Sequence, residues 1–372
     1  MLKGNRFLKY RLTLFAVLRG KGVFKMSNRQ EFGAWFFFII LLLFMNLTTD
    51  LNAQQLRLTK IMPLTKGKLA DEEYFSPRWS PNGKKIAVTK MYHKGIYVIN
   101  IESGTMETIT KDDGAGFRFS WSPDSVEIVY RAKKLKNDRP IYILRSAEIE
   151  TGEITEITSE LDWISLPGYS KDNIVIYAHN GKLKQRRKIF DKHTMGKTFS
   201  LAENLADNVF ANAIVEIPAK DKVIMEDNEG IKIMGSTGKI EKTIIKHGQN
   251  DFAVDAKPSP NGKKVMFFNN VGSIGHLYIY DLDTEKITDL GEGYSGQWLP
   301  DGRITYCITT NDGYVLTSSE IYLINADGTG KMKITDTTDQ IEIQPSVSPD
   351  GKSIVYRDDK SGMIYLGILE TL

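Results

Sequence analysis

Histidine is the residue type in this chain best suited to metal binding or proton transfer. The chain has five histidines among 372 residues, and His93, His179 and His276 lie in or beside loops that follow apolar runs. Neutral imidazole nitrogens ligate metals, so these three side chains are candidates for a metal site if the fold brings them together. Histidines also favour loops for other reasons, and no local spacing here matches a metal motif. We therefore predict no metal and no cofactor.

The sequence offers only weak candidates for a catalytic nucleophile. The segment Gly293-Tyr294-Ser295-Gly296 is the nearest approach to a hydrolase elbow, but it lacks the Gly-x-Ser-x-Gly spacing and the helix that should follow. The single cysteine, Cys307, lies in an apolar run, where we expect a small buried hydrophobic side chain without a disulfide partner. We predict no catalytic residue.

Positive charge is concentrated between positions 131 and 139, where five of nine residues are basic. A solvated loop explains such a run, and so does a surface that attracts an acidic partner. If the run binds a partner, exposed aromatic residues of the same face would add apolar contact. The candidate binding residues are Lys133, Lys134, Lys136, Arg139, Tyr92, Trp163 and Tyr314.

A repeated phrase shows which elements must position these residues. Ser-Pro-Asn/Asp-Gly, or a close variant, precedes an apolar run at 80–88, 122–130, 259–267, 299–307 and 348–356. Weaker copies stand at 169–177 and 218–226. Proline presets φ in the turn, Asp or Asn bonds the local backbone, and glycine adopts positive φ. The repeat length is that of one blade of a β-propeller.

Each repeat predicts four short antiparallel strands. The strands are nearly continuous apolar runs, such as Ile96–Ile99 and Ile321–Ile324, which indicates a sheet that is covered on both faces. Sheets stacked radially are covered in this way, so we predict an all-β propeller and place a β-sandwich second. Seven blades are favoured, and six remain possible if the unit near 171 or 221 is misread.

The last unit contains only three strands, whereas the segment 56–65 has the character of a fourth strand without its first three. We expect the N-terminal strand to complete the C-terminal blade, which leaves no unpaired edge at the seam. In such a ring the loops after the second and fourth strands emerge on one face, which we call the loop face. It would carry the histidines and the basic run. The repeat turns would emerge on the opposite face, the turn face.

The segments SPNGKK at 80–85, SPDGKSIVY at 348–356 and IYLINADGTGKMKIT at 321–335 resemble the PD40, or TolB-like, family of WD40-like β-propellers. The resemblance extends over about residues 56–372. Full TolB proteins carry an α/β domain before the propeller, and we expect that domain to be absent here. Related propellers that act as lyases on pectic oligosaccharides use a histidine-based metal site, which makes an oligosaccharide lyase or hydrolase the alternative interpretation.

The first 53 residues are predicted to be a leader, followed by one domain at 54–372. Residues 35–47 form an apolar core of 13 residues, shorter than a membrane-spanning helix. Ala53 then stands where signal peptidase would cleave, and Met26 by itself would open a signal of ordinary length. We therefore expect a periplasmic or secreted protein without a stable membrane span in its mature form.

The overall charge of the chain is +3 only because the leader is strongly basic. Residues 1–53 hold eight basic and two acidic residues, so the remaining 41 basic and 44 acidic residues give −3. A nucleic-acid-binding function is not expected from such a domain. The sequence favours an exported, non-enzymatic and monomeric propeller that binds an envelope protein or a glycan at its loop face.

Overall fold

The repeated phrase forms the turn that its residue types predict. In the computed structural model, which describes residues 56–68, 72–179, 182–187, 198–200, 211–235, 239–248, 252–271 and 274–371, the Oγ of Ser80 accepts a hydrogen bond from the Lys85 amide at 3.0 Å. Asn82 Oδ1 accepts one from the Lys84 amide at 3.0 Å, and Gly83 has a φ of 70°. Asp301 and Asp350 make the same bond to the amide two residues on. The turn acids thus have a structural role in the backbone.

The described strands pair into seven four-stranded antiparallel sheets, in chain order within each sheet except the last. Sheet 1 contains β2 (Phe75–Trp79), β3 (Lys85–Lys90), β4 (Lys94–Asn100) and β5 (Met106–Thr110), with a 3-10 turn at Met91–His93. Sheet 2 contains β6 (Ser120–Trp121), β7 (Glu127–Lys136), β8 (Arg139–Glu148) and β9 (Ile154–Glu156). Sheet 3 contains β10 (Gly168–Tyr169), β11 (Ile174–His179), β12 (Lys182–Arg187) and β13 (Thr198–Ser200), and for β12 and β13 only the backbone is described.

The remaining sheets follow the same plan. Sheet 4 contains β14 (Ala213–Glu216), β15 (Lys222–Asp227), β16 (Gly230–Gly235) and β17 (Ile240–Lys246). Sheet 5 contains β18 (Phe252–Pro258), β19 (Lys264–Val271), β20 (Ile274–Asp281) and β21 (Ile287–Glu292). Sheet 6 contains β22 (Tyr294–Trp298), β23 (Arg303–Asn311), β24 (Leu316–Asn325) and β25 (Met332–Lys333). Sheet 7 contains β26 (Glu342–Val347), β27 (Ser353–Asp358), β28 (Ile364–Thr371) and β1 (Leu56–Pro63).

Apolar clusters lie between consecutive sheets and explain the continuous apolar runs. In β3, Ala87 packs against sheet 2, while Ile86 and Val88 pack against sheet 7. Further clusters join each later sheet to the next, up to sheets 6 and 7. Because alternate side chains of one strand enter two different interfaces, each sheet is covered on both faces and the ring is closed. The all-β propeller prediction is confirmed.

The ring closes through its first strand, as predicted. β1 pairs antiparallel with β28, from Leu56 opposite Thr371 to Pro63 opposite Tyr365. Leu58 is buried in the cluster between sheets 6 and 7. The terminal strand therefore satisfies the edge of β28 and also contributes to the apolar core.

The segment 131–140 is not a loop, which corrects the prediction for this region. β7 and β8 continue as a paired hairpin to its tip, where Lys136 pairs with Arg139. The two turn residues, Asn137 and Asp138, have φ values of 51° and 60°. Asn and Asp tolerate this left-handed geometry, which matches the twist of the strands and lets the hairpin extend. Likewise, β23 and β24 remain paired through Asn311 and Leu316, which leaves only a short turn between them.

The recurring tryptophans join neighbouring sheets. Trp79 Nε1 donates to the Ser346 carbonyl of sheet 7 at 3.1 Å, and Trp298 Nε1 donates to the Lys257 carbonyl of sheet 5 at 3.0 Å. Trp121 makes the equivalent bond to Arg78. These three tryptophans therefore serve to pack neighbouring sheets together. Separately, no helix in the described part of the chain has the length and apolar character needed to cross a bilayer.

Candidate functional site

Three of the predicted binding residues, Tyr92, Lys133 and Lys134, line a groove of about 560 Å³ between sheets 1 and 2, which we call the loop-face groove. It is lined by Tyr92 and His93 from the β3–β4 connection, by Lys133 and Lys134 from β7, and by Phe117 from the connection between the sheets. The β3–β4 and β5–β6 connections and the β7–β8 hairpin thus converge on one face, as expected. The fold brings together lining residues that lie up to 51 positions apart in the chain, from Met91 to Tyr142.

The groove combines exposed apolar side chains with positive charge. Tyr92 is 88% exposed, Leu135 is 70% exposed and Met91 is 48% exposed, and all three line the groove. Lys94, Lys133 and Lys134 line it as well. Large apolar side chains that remain exposed together on a protein surface often mark a binding site. Cations around them favour an acidic partner.

The base of the groove is rigidly held. The rings of His93 and Phe117 meet edge to face, with centroids 4.9 Å apart. The Arg131 guanidinium lies 4.6 Å from the centre of the Tyr142 ring and donates from Nη1 to the Ile164 carbonyl at 2.8 Å. Burial lowers the pKa of His93, which favours its neutral form. The base therefore carries aromatic surface and one oriented cation.

The other predicted binding residues lie outside the groove lining. Lys136 donates to Glu160 at 3.0 Å, and Lys134 lies 3.9 Å from the same carboxylate, so part of the basic charge is compensated. Trp163 is half-buried, and its carbonyl bonds His179 Nδ1 at 2.8 Å. Tyr314 is 96% exposed at the tip of the β23–β24 hairpin in sheet 6. Arg139 is exposed where the β7–β8 hairpin turns.

The candidate metal-binding histidines each have a separate local environment. His276 lies within β20 rather than in a loop, and its Nδ1 is 3.1 Å from Asp289. His179 is bonded to Trp163, and His93 packs on Phe117. Within the described residues, no group of three or more His, Cys, Asp or Glu side chains is placed to hold a metal ion.

A second polar site, which the sequence reasoning missed, lies where sheets 2, 4 and 5 approach one another. Arg118, which lies just before β6 of sheet 2, bonds Glu226 of sheet 4 at 3.1 Å and Asp255 of sheet 5 at 2.7 Å. Lys257 bonds Asp255 at 2.8 Å. Burial acts to raise the pKa of Asp255, but Lys257 and Arg118 outweigh it and hold that pKa well below its ordinary value. We call this set the central charge cluster.

A backbone irregularity recurs around this centre. A non-glycine residue with positive φ stands five positions before the turn proline of the strong repeat units. These residues are Ser76, Arg118, Asp255, Ser295 and Gln344, with φ between 53° and 59°. Four of them lie at a β-bulge of the inner strand. Positive φ is unfavourable for such residues, and strain of this kind is often found at functional sites.

Comparison with known proteins identifies a fold. No family model matches the chain. The β-propeller domain of Cps50 (Swd1) from Myceliophteria thermophila is 10% identical, with a TM-score of 0.56 over 85% of this chain and 100% of that chain.

Two weaker likenesses are to an oligogalacturonate lyase in complex with manganese and to the oligogalacturonate lyase of Vibrio parahaemolyticus. Each is 14% identical, with a TM-score of 0.42, over 82% of this chain and 79% of that chain. Likenesses this weak carry no argument about activity. The likeness to the Cps50 (Swd1) domain, together with the seven described sheets, shows that the chain adopts a β-propeller fold.

Proposed function

We propose that this protein is a non-enzymatic binding module that captures an acidic partner in the loop-face groove. The observation that carries the proposal is the convergence of exposed Met91, Tyr92 and Leu135 with Lys94, Lys133 and Lys134 around one groove. Apolar contact would supply affinity, while the cations would select and steer an acidic ligand. The partner is an envelope protein or a glycan, and the aliphatic rim of Met91 and Leu135 favours a protein segment.

The proposal extends to family and compartment. The repeat phrases support a PD40, or TolB-like, propeller with seven blades, in agreement with the seven described sheets. The apolar core at 35–47 and Ala53 support export through a cleaved signal peptide, which would put the protein in the periplasm or outside the cell. These residues lie outside the described part of the chain.

Export has a direct test. N-terminal sequencing of protein recovered from the envelope or medium should show Gln54 as the first residue. A mature species that retains residues 35–47 would instead be an anchored protein, and the export proposal would be wrong.

The groove is tested by reversing its charge. Replacing Lys133, Lys134, Lys136 and Arg139 by Glu should weaken capture of the partner from an envelope fraction and abolish the dependence of capture on salt, because screened attraction between opposite charges is removed. The matched control replaces four exposed lysines of the repeat turns by Glu, which changes the net charge equally on the opposite face. These are Lys84, Lys171, Lys263 and Lys352.

The two variants give opposite predictions. Capture should survive the turn-face change and fail with the groove change, and Tyr92→Ala should weaken it without altering its salt dependence. Loss of capture in the turn-face variant alone, with the groove variant unaffected, would contradict the proposal. Protease treatment of the envelope fraction should abolish capture if the partner is a protein, whereas periodate oxidation should abolish it if the partner is a glycan.

A further inference from the structure

The central charge cluster borders a cavity of about 220 Å³ that is separate from the loop-face groove. Its walls come from five consecutive sheets, which places it at the axis of the ring. Arg78 of sheet 1, Arg118 of sheet 2, and Asp255 and Lys257 of sheet 5 are its charged lining residues, and Tyr169 of sheet 3 and Ile214 of sheet 4 complete the wall. A cavity of this size accommodates a small polar group rather than a chain segment.

The two carboxylates of the cluster have no free oxygen. Asp255 Oδ1 accepts from Arg118 and Oδ2 accepts from Lys257. Glu226 Oε2 accepts from Arg118, and its Oε1 accepts from the Ala256 amide at 2.6 Å. Lys257 also donates to the Gly296 carbonyl at 2.9 Å. All four carboxylate oxygens therefore accept a hydrogen bond, from Arg118, Lys257 or one backbone amide.

Arg78 is the cation of the cavity that forms no ion pair among the described residues, since both oxygens of Asp255 are bonded to Arg118 and Lys257. Its Nη1 donates to the Phe119 carbonyl at 3.2 Å, and its guanidinium lies 5.3 Å from the centre of the Phe119 ring. Among the described residues it has no acidic partner, although a guanidinium carries five N–H donors. Burial lowers the pKa of Arg78, and Asp255 only partly opposes that effect. An arginine remains charged under such conditions because its ordinary pKa is above 12.

We propose that this axial cavity binds a small oxyanion, the carboxylate or phosphate group of a ligand, with Arg78 as its principal donor. The planar guanidinium offers paired N–H groups that match two oxygens of either anion. Three cations face two carboxylates around the cavity, so one bound negative charge would neutralise the cluster. Arg118 and Asp255, which surround the cavity with Arg78 and Lys257, both have positive φ, and Asp255 also lies at a β-bulge.

The test is titration calorimetry of the full domain with inorganic phosphate and, separately, with acetate at low ionic strength. At least one anion should bind with one-to-one stoichiometry, and the anion that binds distinguishes phosphate chemistry from carboxylate chemistry. Arg78→Met should weaken that binding tenfold or more, and Arg78→Lys should weaken it less. Lys352→Met, which removes an exposed cation from a repeat turn, should leave it unchanged.

Thermal melts distinguish a loss of anion binding from poor folding of the variant. Since Arg78 forms no ion pair among the described residues, Arg78→Met should lower the melting temperature only slightly in buffer without phosphate or acetate, through loss of the Phe119 contacts. The binding anion should raise the melting temperature of the wild type but not of the variant. Absence of saturable binding to the wild type, unchanged binding in Arg78→Met, or a large loss of melting temperature in that variant would each overturn the proposal.

The groove variant separates this site from the proposed function. The protein with Glu at 133, 134, 136 and 139 should bind the anion as the wild type does, because those residues do not line the axial cavity. If anion binding disappears in that variant, the anion occupies the groove and the axial site is wrong.

Discussion

Single glycines of the repeat turn differ in what surrounds them, although they occupy the same place in the phrase. Gly302 has a φ of 86° and open space where a Cβ would project, whereas a Cβ on Gly262 would lie 1.9 Å from the Pro218 carbonyl oxygen. Both positions need positive φ, which favours glycine over alanine. Of these two, only Gly262 adds a clash with backbone of the neighbouring sheet.

Gly302→Ala should therefore lower the free energy of unfolding by only about 1 kcal/mol, the cost of the backbone conformation. Gly262→Ala should lower it by about 2–4 kcal/mol, because overpacking adds to that cost. Urea denaturation of the two variants measures both. Equal losses would show that the Pro218 contact relaxes without penalty.

Glu342 is a buried carboxyl group with one oxygen satisfied. Its Oε1 accepts from Thr337 at 2.5 Å, while within the described residues Oε2 has no hydrogen-bond partner. Burial raises the pKa of Glu342 to about 7, and the nearby Glu320 and Asp358 act in the same direction against the Thr337 hydrogen bond. The neutral acid is the form that suits this environment.

Stability should therefore fall as pH rises. Below a pH of about 4.5, Glu342 is protonated in both the folded and the unfolded protein, and its contribution to the free energy of unfolding is fully present. Between about 4.5 and 7 the carboxyl group ionises only in the unfolded chain, so this contribution is lost as pH rises. The shift corresponds to about 3 kcal/mol. Glu342→Gln should remove this dependence and be the more stable protein at pH 8. A stability difference between the two proteins that does not change from pH 4.5 to 8 would contradict the shifted pKa.

At the scale of elements, β1 supplies the outer edge of sheet 7. It pairs with β28 over most of its length, with a bulge between Thr59 and Met62, and it buries Leu58. Deleting 56–65 should expose the β28 edge together with apolar surface, and both promote association between chains. Size-exclusion chromatography should show aggregates. A deletion protein that stays monomeric with an unchanged melting temperature would contradict closure by this strand.

The repeat also specifies polar residues at fixed positions before its turn. Arg78 and Lys257 stand three positions before their turn prolines, and Arg118 and Asp255 stand five positions before theirs. In sheets 1, 5, 6 and 7 the latter position lies at a β-bulge, which interrupts strand alternation and re-aims the polar side chain there. Polar residues recur at these two positions in the strong units, which is a signal that the sequence reasoning did not use.

At the scale of the molecule, the seam between sheets 7 and 1 contains a buried arginine. Arg357 is 1% exposed, forms ion pairs with Glu73 and Asp359, and donates to the Tyr74 carbonyl at 3.1 Å. Its guanidinium also lies 4.1 Å from the centre of the Phe75 ring. One side chain thus joins the last sheet to the first by charge, hydrogen bonding and packing.

Arg357→Met should lower the free energy of unfolding by about 3 kcal/mol, because it removes the buried cation that Glu73 and Asp359 share at the seam. Arg303→Met, which breaks a partly exposed pair with Asp301, is the matched control and should cost less than about 1 kcal/mol. Urea denaturation compares them. Similar losses in both proteins would show that the seam does not depend on Arg357.

The sequence by itself determined the propeller, its four-stranded units and the closing strand, because turn chemistry and apolar runs are local properties that recur at a fixed spacing. It also indicated that the basic run and Tyr92 share one face, since loop position in a blade follows from strand order. It was wrong about the form of 131–140, because two residues that tolerate left-handed geometry convert an expected loop into an extended hairpin.

Only the tertiary structure decided which distant side chains meet. Arg118, Glu226 and Asp255 come from three different sheets, and nothing in their local sequence shows that they approach across the axis of the ring. Compensation of charge is likewise non-local, since it depends on which cation reaches each carboxylate oxygen. Among the described residues, Arg78 is left without an acidic partner for that reason, which is a property of the closed ring rather than of any repeat.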